Sequence, residues 1–221
     1  STHSVSTPTL TIGIGAPTSY NGIVTVTTGT IAGTSSITVG HATEGTSSLG
    51  SATQAYTLTA TTFAINATGT VIAPNASGAF NLSGNPTITG TYTHSSGTVT
   101  VTGAITLQTN WTSLNALTIN STKSLDTNAS NYSLTTAGTT SITGTLTPNA
   151  STITFNGAVT VNTGGTLGGN TAYTLDLNAD LNASAGVLSC PNGSGTFTFS
   201  GATWNTPTTF TPNDGKVQFD R

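Results

Sequence analysis

The acidic side chains are the first candidates for chemistry in this sequence. There are six of them: Glu44, Asp126, Asp176, Asp180, Asp214 and Asp220. Hydrolysis of a glycosidic bond needs two carboxyl groups at one site. Asp176 and Asp180 come nearest to this, because they are four residues apart and share one parity. A solvated strand-and-turn pair explains them more simply, so we predict that the protein is not an enzyme.

Histidine and cysteine do not suggest a metal or redox site. His3, His41 and His94 share no ligand spacing, and His41 and Glu44 lie in a Gly- and Ser-rich loop. Asp214 alone offers too few ligands for calcium. Cys190 has no internal partner, so we expect a buried thiol in a turn, with an intermolecular bridge as the alternative. We predict no cofactor.

Asparagine provides the strongest candidate modification, N-linked glycosylation. Ten positions fit the Asn-X-Ser/Thr pattern: Asn66, Asn75, Asn81, Asn110, Asn120, Asn128, Asn131, Asn149, Asn182 and Asn192. A chain with 19 Asn, 54 Thr and 24 Ser produces many such matches from composition alone. Placement is therefore the better evidence: Asn75, Asn149 and Asn192 occupy the same point of a repeated turn sequence, from which a glycan would project.

The composition excludes several classes of function. Only 4% of the 221 residues are charged and the net charge is −3, so the chain has no basic surface for nucleic acid. No apolar run reaches the length of about 18 residues that a membrane span requires. Thr, Ser, Gly and Asn disfavour helices. Such sparse charge is unusual for cytosolic proteins, and it predicts a secreted, extracellular protein at the cell surface.

Hydrophobic residues recur in pairs separated by one residue, which places both members on one face of a strand. Thr, Ser, Asn, Asp or Gln stands between them and suits the opposite, solvated face. The pairs are Val24/Val26, Ile37/Val39, Phe80/Leu82, Val99/Val101, Leu117/Ile119, Ile153/Phe155, Leu175/Leu177, Phe197/Phe199 and Val217/Phe219. The sequence therefore predicts an all-β fold of short strands.

The pairs return at a mean spacing of about 20 residues, which is typical of a repeat architecture. Two local sequences repeat with them. One is a turn, as in Pro74–Gly78 and Pro191–Gly195; the other is a glycine bend after a strand, as in 155–158 and 199–202. We predict a right-handed parallel β-solenoid with about 20 residues per coil, and an antiparallel β-sandwich is the alternative. Phe80, Phe155 and Phe199 should then form one continuous column.

The two ends of the chain differ from the repeats. Residues 1–22 contain an alternation at Leu10, Ile12 and Ile14, and we expect an end coil or a strand that pairs with another subunit. Residues 23–221 form the solenoid repeats. The last residues, 216–221, resemble no polar cap, and an uncapped coil is a template for strand addition. Since the chain begins at Ser1 and contains no Met, we expect that a signal segment was removed or that a longer chain was cut.

Three stretches, 152–157, 196–201 and 210–220, resemble the β-strand-repeat regions of large prokaryotic cell-surface and adhesin-like proteins. The resemblance covers roughly residues 56–221. It implies a β-solenoid stalk or fibre outside the cell, and it brings no catalytic residues.

These observations favour a structural subunit of an extracellular filament or cell-surface layer, which assembles head to tail with copies of itself and carries N-glycans. An adhesin segment or an ice- or glycan-binding solenoid is the alternative, since Thr-X-Thr triplets are frequent; however, we expect no row of pure Thr. A polysaccharide-degrading β-helix enzyme is the least favoured hypothesis.

Overall fold

A computed structural model describes residues 3–13, 22–24, 29–43 and 45–220. These residues contain no helix. They form parallel strands stacked as a β-solenoid of about 9 turns, with roughly 22 residues per turn. The predicted solenoid is thereby confirmed against the antiparallel sandwich; its right-handed winding stays a prediction.

The chain divides into two compact units, Ser1–Thr100 and Val101–Arg221. We call them unit 1 and unit 2. The strands of unit 1 are β1 (His3–Ile12), β2 (Gly22–Val24), β3 (Gly29–Val39), β4 (Ser47–Gly50), β5 (Tyr56–Ile65), β6 (Gly69–Ile72), β7 (Ala79–Leu82), β8 (Pro86–Ile88), β9 (Thr91–Thr93) and β10 (Thr98–Val101), which ends at the boundary.

Unit 1 begins with long turns that become shorter. One sheet contains β1, β3, β5, β7 and β10 in this order, with β8 also on β5, and a second contains β2, β4, β6 and β9. Gly29 pairs with Tyr56, whereas Thr57 pairs with Ala79, so the second of these turns uses less chain than the first. The register shifts between Gly33 and Ser36, where β3 carries one residue more than β5.

Unit 2 has three short strands in each turn. They are β11 (Ala104–Thr106), β12 (Trp111–Leu114), β13 (Ala116–Ile119), β14 (Ser124–Asp126), β15 (Leu134–Thr136), β16 (Thr140–Ile142), β17 (Thr145–Thr147), β18 (Thr152–Phe155), β19 (Val159–Val161), β20 (Thr166–Leu167), β21 (Thr174–Leu177), β22 (Leu181–Asn182), β23 (Val187–Ser189), β24 (Thr196–Phe199), β25 (Trp204–Asn205), β26 (Thr209–Thr211) and β27 (Lys216–Phe219). Every third strand belongs to the same sheet, and all pairs are parallel. We name the sheets by their last strands: the β25 sheet, the β26 sheet and the β27 sheet.

The core of unit 2 consists of inward columns, one residue per turn. In the β26 sheet, Leu125, Leu146, Leu167 and Leu188 stack in register, and all four are buried. In the β27 sheet the column of Leu134, Ile153, Leu175 and Phe197 is buried in the same way. Alternation with outward Thr and Ser therefore places the apolar half of each strand inside, as the period of two requires.

One expectation about the repeat needs correction. Phe155 and Phe199 do share a column, with Leu177 between them, but Phe80 lies in the other unit beside Leu58. The predicted length of about 20 residues per coil agrees with the roughly 22 residues per turn of the structure. One counted step changes sheet, since Leu117 pairs with Thr140, whereas Leu134 pairs with Trp111 in the β27 sheet.

The predicted division at residue 22 stays a prediction. Within 1–22, β1 pairs in parallel with β3, Leu10 is half-buried and Ile12 is buried. Ile14 lies outside the described residues.

Candidate functional site

The two carboxylates that came nearest to an acid pair each have partners of their own. Oδ1 of Asp180 accepts hydrogen bonds from the backbone nitrogens of Ala202 (2.9 Å) and Thr203 (2.8 Å), one turn further on. Asp176 stands on the outer face of β21, where its Oδ2 accepts a hydrogen bond from the Asn178 amide at 3.3 Å. Asp180 thus links its own turn to the next one through two hydrogen bonds.

The two histidine rings that the structure describes make only local contacts. The His41 ring accepts a weak hydrogen bond from the Thr43 nitrogen at 3.4 Å, and the His94 ring contacts the Ser95 carbonyl oxygen at 3.2 Å. Glu44 and the side chain of His3 lie outside the described residues. Among the residues that are described, no three His, Cys, Asp or Glu side chains come together as metal ligands.

Cys190 is fully buried, and burial raises the pKa of its thiol to about 11. Its thiol therefore stays protonated and away from solvent at neutral pH, which makes it a poor nucleophile. The expectation of a buried turn residue is confirmed.

Six of the ten glycosylation candidates use their side-chain amide nitrogen as a link between turns. Asn66, Asn75 and Asn128 donate to backbone carbonyl oxygens of Gly40 (2.9 Å), Thr53 (3.0 Å) and Leu107 (3.0 Å). Three others donate to side chains one turn earlier: Asn81 to Thr59, Asn149 to Asp126 and Asn192 to Asn170. A sugar on any of these nitrogens would stand against the neighbouring turn.

Three candidates are exposed, and in each the side-chain oxygen Oδ1 accepts a hydrogen bond. Oδ1 of Asn110 accepts from the Ser133 nitrogen at 2.9 Å, Oδ1 of Asn131 from the Ala150 nitrogen at 3.0 Å, and Oδ1 of Asn182 from the Ser184 hydroxyl at 2.9 Å. The tenth candidate, Asn120, is half-buried in the turn that leads to β14. On these contacts, Asn110, Asn131 and Asn182 suit a glycan better than the turn positions that the sequence favoured.

A tyrosine-locked corner, which sequence reasoning missed, occurs once among the described residues of each unit. The Tyr56 hydroxyl donates to the carbonyl oxygen of Ile72, and the Tyr173 hydroxyl to that of Ser189, each 16 residues further on. Burial raises the pKa of both phenols above their usual value, so they remain donors. A matching signal was present in the sequence, since Tyr56 and Tyr173 precede the pairs Pro74-Asn75 and Pro191-Asn192 at the same spacing.

An open apolar surface lies on the last described turn of unit 2. A cavity of about 500 Å³ is lined by Trp204, Thr206, Pro207, Phe210, Val217 and Phe219. Trp204 is surrounded by phenylalanines; the ring centroids of Phe197, Phe199 and Phe219 lie 5.1, 5.5 and 5.5 Å away. Phe210 and Phe219 are 43% and 62% exposed. We call this surface the aromatic end.

The aromatic end contains the last described members of the inward columns. Trp204 follows Leu181 in the β25 sheet, Phe210 follows Leu188 in the β26 sheet, and Val217 follows Phe197 in the β27 sheet. Nε1 of Trp204 is buried there and has no hydrogen-bond partner within the described structure. A buried donor without a partner costs about 1–3 kcal/mol. The site can accept another layer of inward apolar side chains.

The geometry defines a β-solenoid with an apolar terminal surface. No family model, curated protein or solved structure matches this chain. The described residues also include no helix of the length and apolarity that would cross a membrane.

Proposed function

We propose that this chain is a structural subunit of an extracellular filament or cell-surface layer, and that copies assemble head to tail through the open edges of their turns. One observation carries the proposal. Among the described residues, four large hydrophobic side chains are exposed, and all four lie on strands at sheet edges: Ile23 and Val24 on β2, Phe210 on β26 and Phe219 on β27.

An edge strand presents unpaired backbone donors and acceptors, and it templates the addition of another strand. Within each unit, the surface that satisfies such an edge is the next turn of the same solenoid. A second copy offers this surface without a new kind of contact, because its own edge strand β2 carries the exposed Ile23 and Val24. The occupant of the aromatic end is therefore an edge turn of another copy.

Sparse charge and the polar outer faces support the extracellular location. The outward residues of the β27 sheet include Thr152, Thr174 and Thr196, which stack on successive turns. Such a surface has little charge to keep it dispersed, and glycans at the exposed Asn110, Asn131 and Asn182 would supply hydration. The protein is thus proposed to be N-glycosylated, first at these three positions.

The assembly is tested by placing charge on the aromatic end. We expect the purified chain to form long uniform fibres by electron microscopy and large species by light scattering. The double variant Phe210→Asp, Phe219→Asp should remain folded by circular dichroism but stay monomeric, because two unpaired carboxylates resist burial. Thr160→Asp, on an outer face, is the matched control and should still assemble. A monomeric wild-type chain, or assembly by the double variant, would refute the proposal.

An ice- or glycan-binding solenoid is the second candidate, favoured by the row of Thr152, Thr174 and Thr196. This row is Thr on three successive turns and continues as Lys216 on the next, so it is not a row of pure Thr. Thermal hysteresis in the monomeric double variant would promote this function over the first.

A further inference from the structure

We infer that Asn192 is a site of spontaneous deamidation in the folded protein, with the backbone nitrogen of Gly193 as the nucleophile. The other Asn-Gly pair of the described residues, Asn156-Gly157, is held in a conformation that prevents the same reaction. The two pairs have the same local sequence, so the structure alone distinguishes them.

The nitrogen of Gly193 lies next to the side chain that it would attack. It donates to Oδ1 of Asn192 at 2.7 Å, and since Oδ1 is bonded to Cγ, the contact also brings the nitrogen close to Cγ. The turn is closed by a hydrogen bond from the Gly195 nitrogen to the Asn192 carbonyl oxygen at 2.9 Å. A nucleophile that the turn holds beside the group it attacks reacts faster than one that must first find it.

Space for the reaction is also present. Gly193 is exposed, has a φ of +55°, and a Cβ atom added to it would meet nothing within 4 Å. A cyclic product at this point would therefore displace no neighbouring group.

The Asn156-Gly157 pair is different in both respects. Oδ1 of Asn156 accepts a hydrogen bond from the Asn178 amide at 3.0 Å, which directs the side chain along the stack and towards the next turn. A Cβ added to Gly157 would lie 2.3 Å from the backbone of Gly138, so this peptide is stacked closely on the preceding turn. Bending the backbone into a ring there would require the two turns to separate.

The chemistry needs only water. The Gly193 nitrogen forms a bond to Cγ of Asn192 and gives up its proton, the bond from Cγ to Nδ2 breaks, and ammonia leaves. The resulting succinimide is then opened by one water molecule. Attack at one carbonyl yields aspartate, and attack at the other yields isoaspartate, in which the main chain runs through the side-chain carbon.

Deamidation would alter the corner in three ways. It removes the amide that donates to Oδ1 of Asn170 at 2.9 Å, it introduces a carboxylate, and it destroys the glycan acceptor of this sequon. Isoaspartate also lengthens a backbone that is held to the preceding turn by the bond from the Asn192 nitrogen to the Thr171 carbonyl oxygen, 2.8 Å. The corner thus becomes charged and looser as the protein ages.

The test is a time course on the folded full-length chain at mildly alkaline pH, read by peptide mass spectrometry. Trypsin is unsuitable, because no Lys or Arg separates Asn156 from Asn192. Cleavage after aromatic residues does separate them, in peptides 156–173 and 174–197. We expect the mass change of amide to carboxyl at Asn192 about tenfold to a hundredfold faster than at Asn156. Isoaspartyl methyltransferase should label the product.

The unfolded chain is the control, since both pairs are then equally free and should react at similar rates. Gly193→Ala should abolish the folded-state reaction at Asn192 and leave Asn156 unchanged. Equal rates at the two residues in the folded chain would overturn the inference. Deamidation of Asn192 in the unfolded chain but not in the folded chain would overturn it as well, and this comparison uses the wild-type protein alone.

Discussion

Units 1 and 2 build the same fold with turns of different length. Stacked partners in unit 2 lie fairly close in sequence, as for Leu134 with Ile153 and for Leu117 with Thr140. The first turns of unit 1 use more chain, as for Gly29 with Tyr56. The strands differ as well: β3 and β5 have 11 and 10 residues, whereas the strands of unit 2 have at most four.

The difference lies in how the chain changes direction. In β5 the burial alternation slips at Thr61 and Thr62, both exposed, so one strand serves two inward faces. One turn later the same path is divided into β7 and β8, with Gly84 between them, where a Cβ would lie 2.3 Å from the Thr61 carbonyl oxygen. A long strand can bend at polar residues, whereas a short turn needs glycine because the backbones approach closely.

The tyrosine-locked corner shows what the two units share. In each, a glycine with positive φ, Gly50 or Gly168, makes room for the Tyr hydroxyl and the carbonyl oxygen it binds. Both corners stand in turns of equal length, since Thr57 pairs with Ala79 and Thr174 with Thr196, and we expect the tyrosine hydroxyl to fix the register of these turns.

The largest effect should come from charge inside a column. Phe197→Asp places a carboxylate at a position with 0% exposure, between Leu175 and Val217. We expect the free energy of unfolding of unit 2 to fall by at least about 3 kcal/mol, as measured by chemical denaturation. Phe63 is equally buried, so Phe63→Asp tests whether a charge in the core destabilises unit 1 by a similar amount.

Phe219→Asp is the control for that experiment, because its side chain is 62% exposed. It should change the unfolding free energy by about 0.5 kcal/mol or less. If Phe197→Asp were as mild as Phe219→Asp, the inward assignment of β24 would be wrong.

A glycine substitution tests the proposed need for close approach in short turns. Gly157→Ala directs a methyl group at the Gly138 backbone, 2.3 Å away, and should cost unit 2 about 1–3 kcal/mol. Gly169→Ala is the matched control, since its Cβ would make only an ordinary contact with Thr147 at 4.0 Å. Equal unfolding free energies for both variants would show that the backbone at Gly157 can shift enough to accommodate a methyl group.

The sequence predicts the strands and the turns well for physical reasons. Alternation such as Thr196–Phe199 admits one buried face, and Pro-Asn and Asn-Gly sequences admit few backbone paths, so both features are local. The sheet that each strand joins is not local. Leu117 and Leu134 carry the same signal and lie in different sheets, and only the long-range pairing decides this.

The candidate sites were harder to predict, because they depend on the neighbouring turn. The equivalent position of Asn75 and Asn192 in their turns is visible in the sequence. That their amides bind Thr53 and Asn170 is not, since those partners are 22 residues away. For the aromatic end, the sequence predicts an uncapped coil but not the cluster of phenylalanines around Trp204.

The smallest expected effect is a difference between the units in how their free energy of unfolding depends on pH. Unit 2 contains Cys190, whose burial raises the pKa of the thiol to about 11 from an ordinary value of 9.0. A raised pKa in the folded state means that the unfolded chain loses its proton first. The contribution of Cys190 to stability is therefore complete below pH 9.0 and is lost as the pH rises towards about 11.

The buried phenols of both units also begin to contribute in this range, because an unfolded tyrosine is half ionised at about pH 10. Between pH 9 and 10 the free energy of unfolding should therefore fall in both units, and more steeply in unit 2, where the thiol adds to the phenol of Tyr173. Cys190→Ala lowers the stability of unit 2 at every pH through lost contacts, so the informative quantity is the slope of unfolding free energy against pH. We expect this slope to be negative in the wild type and clearly shallower in Cys190→Ala over that interval, where only the phenol of Tyr173 still contributes. An unchanged slope would mean that the thiol reaches solvent in the folded unit, and it would reopen the intermolecular bridge as its role.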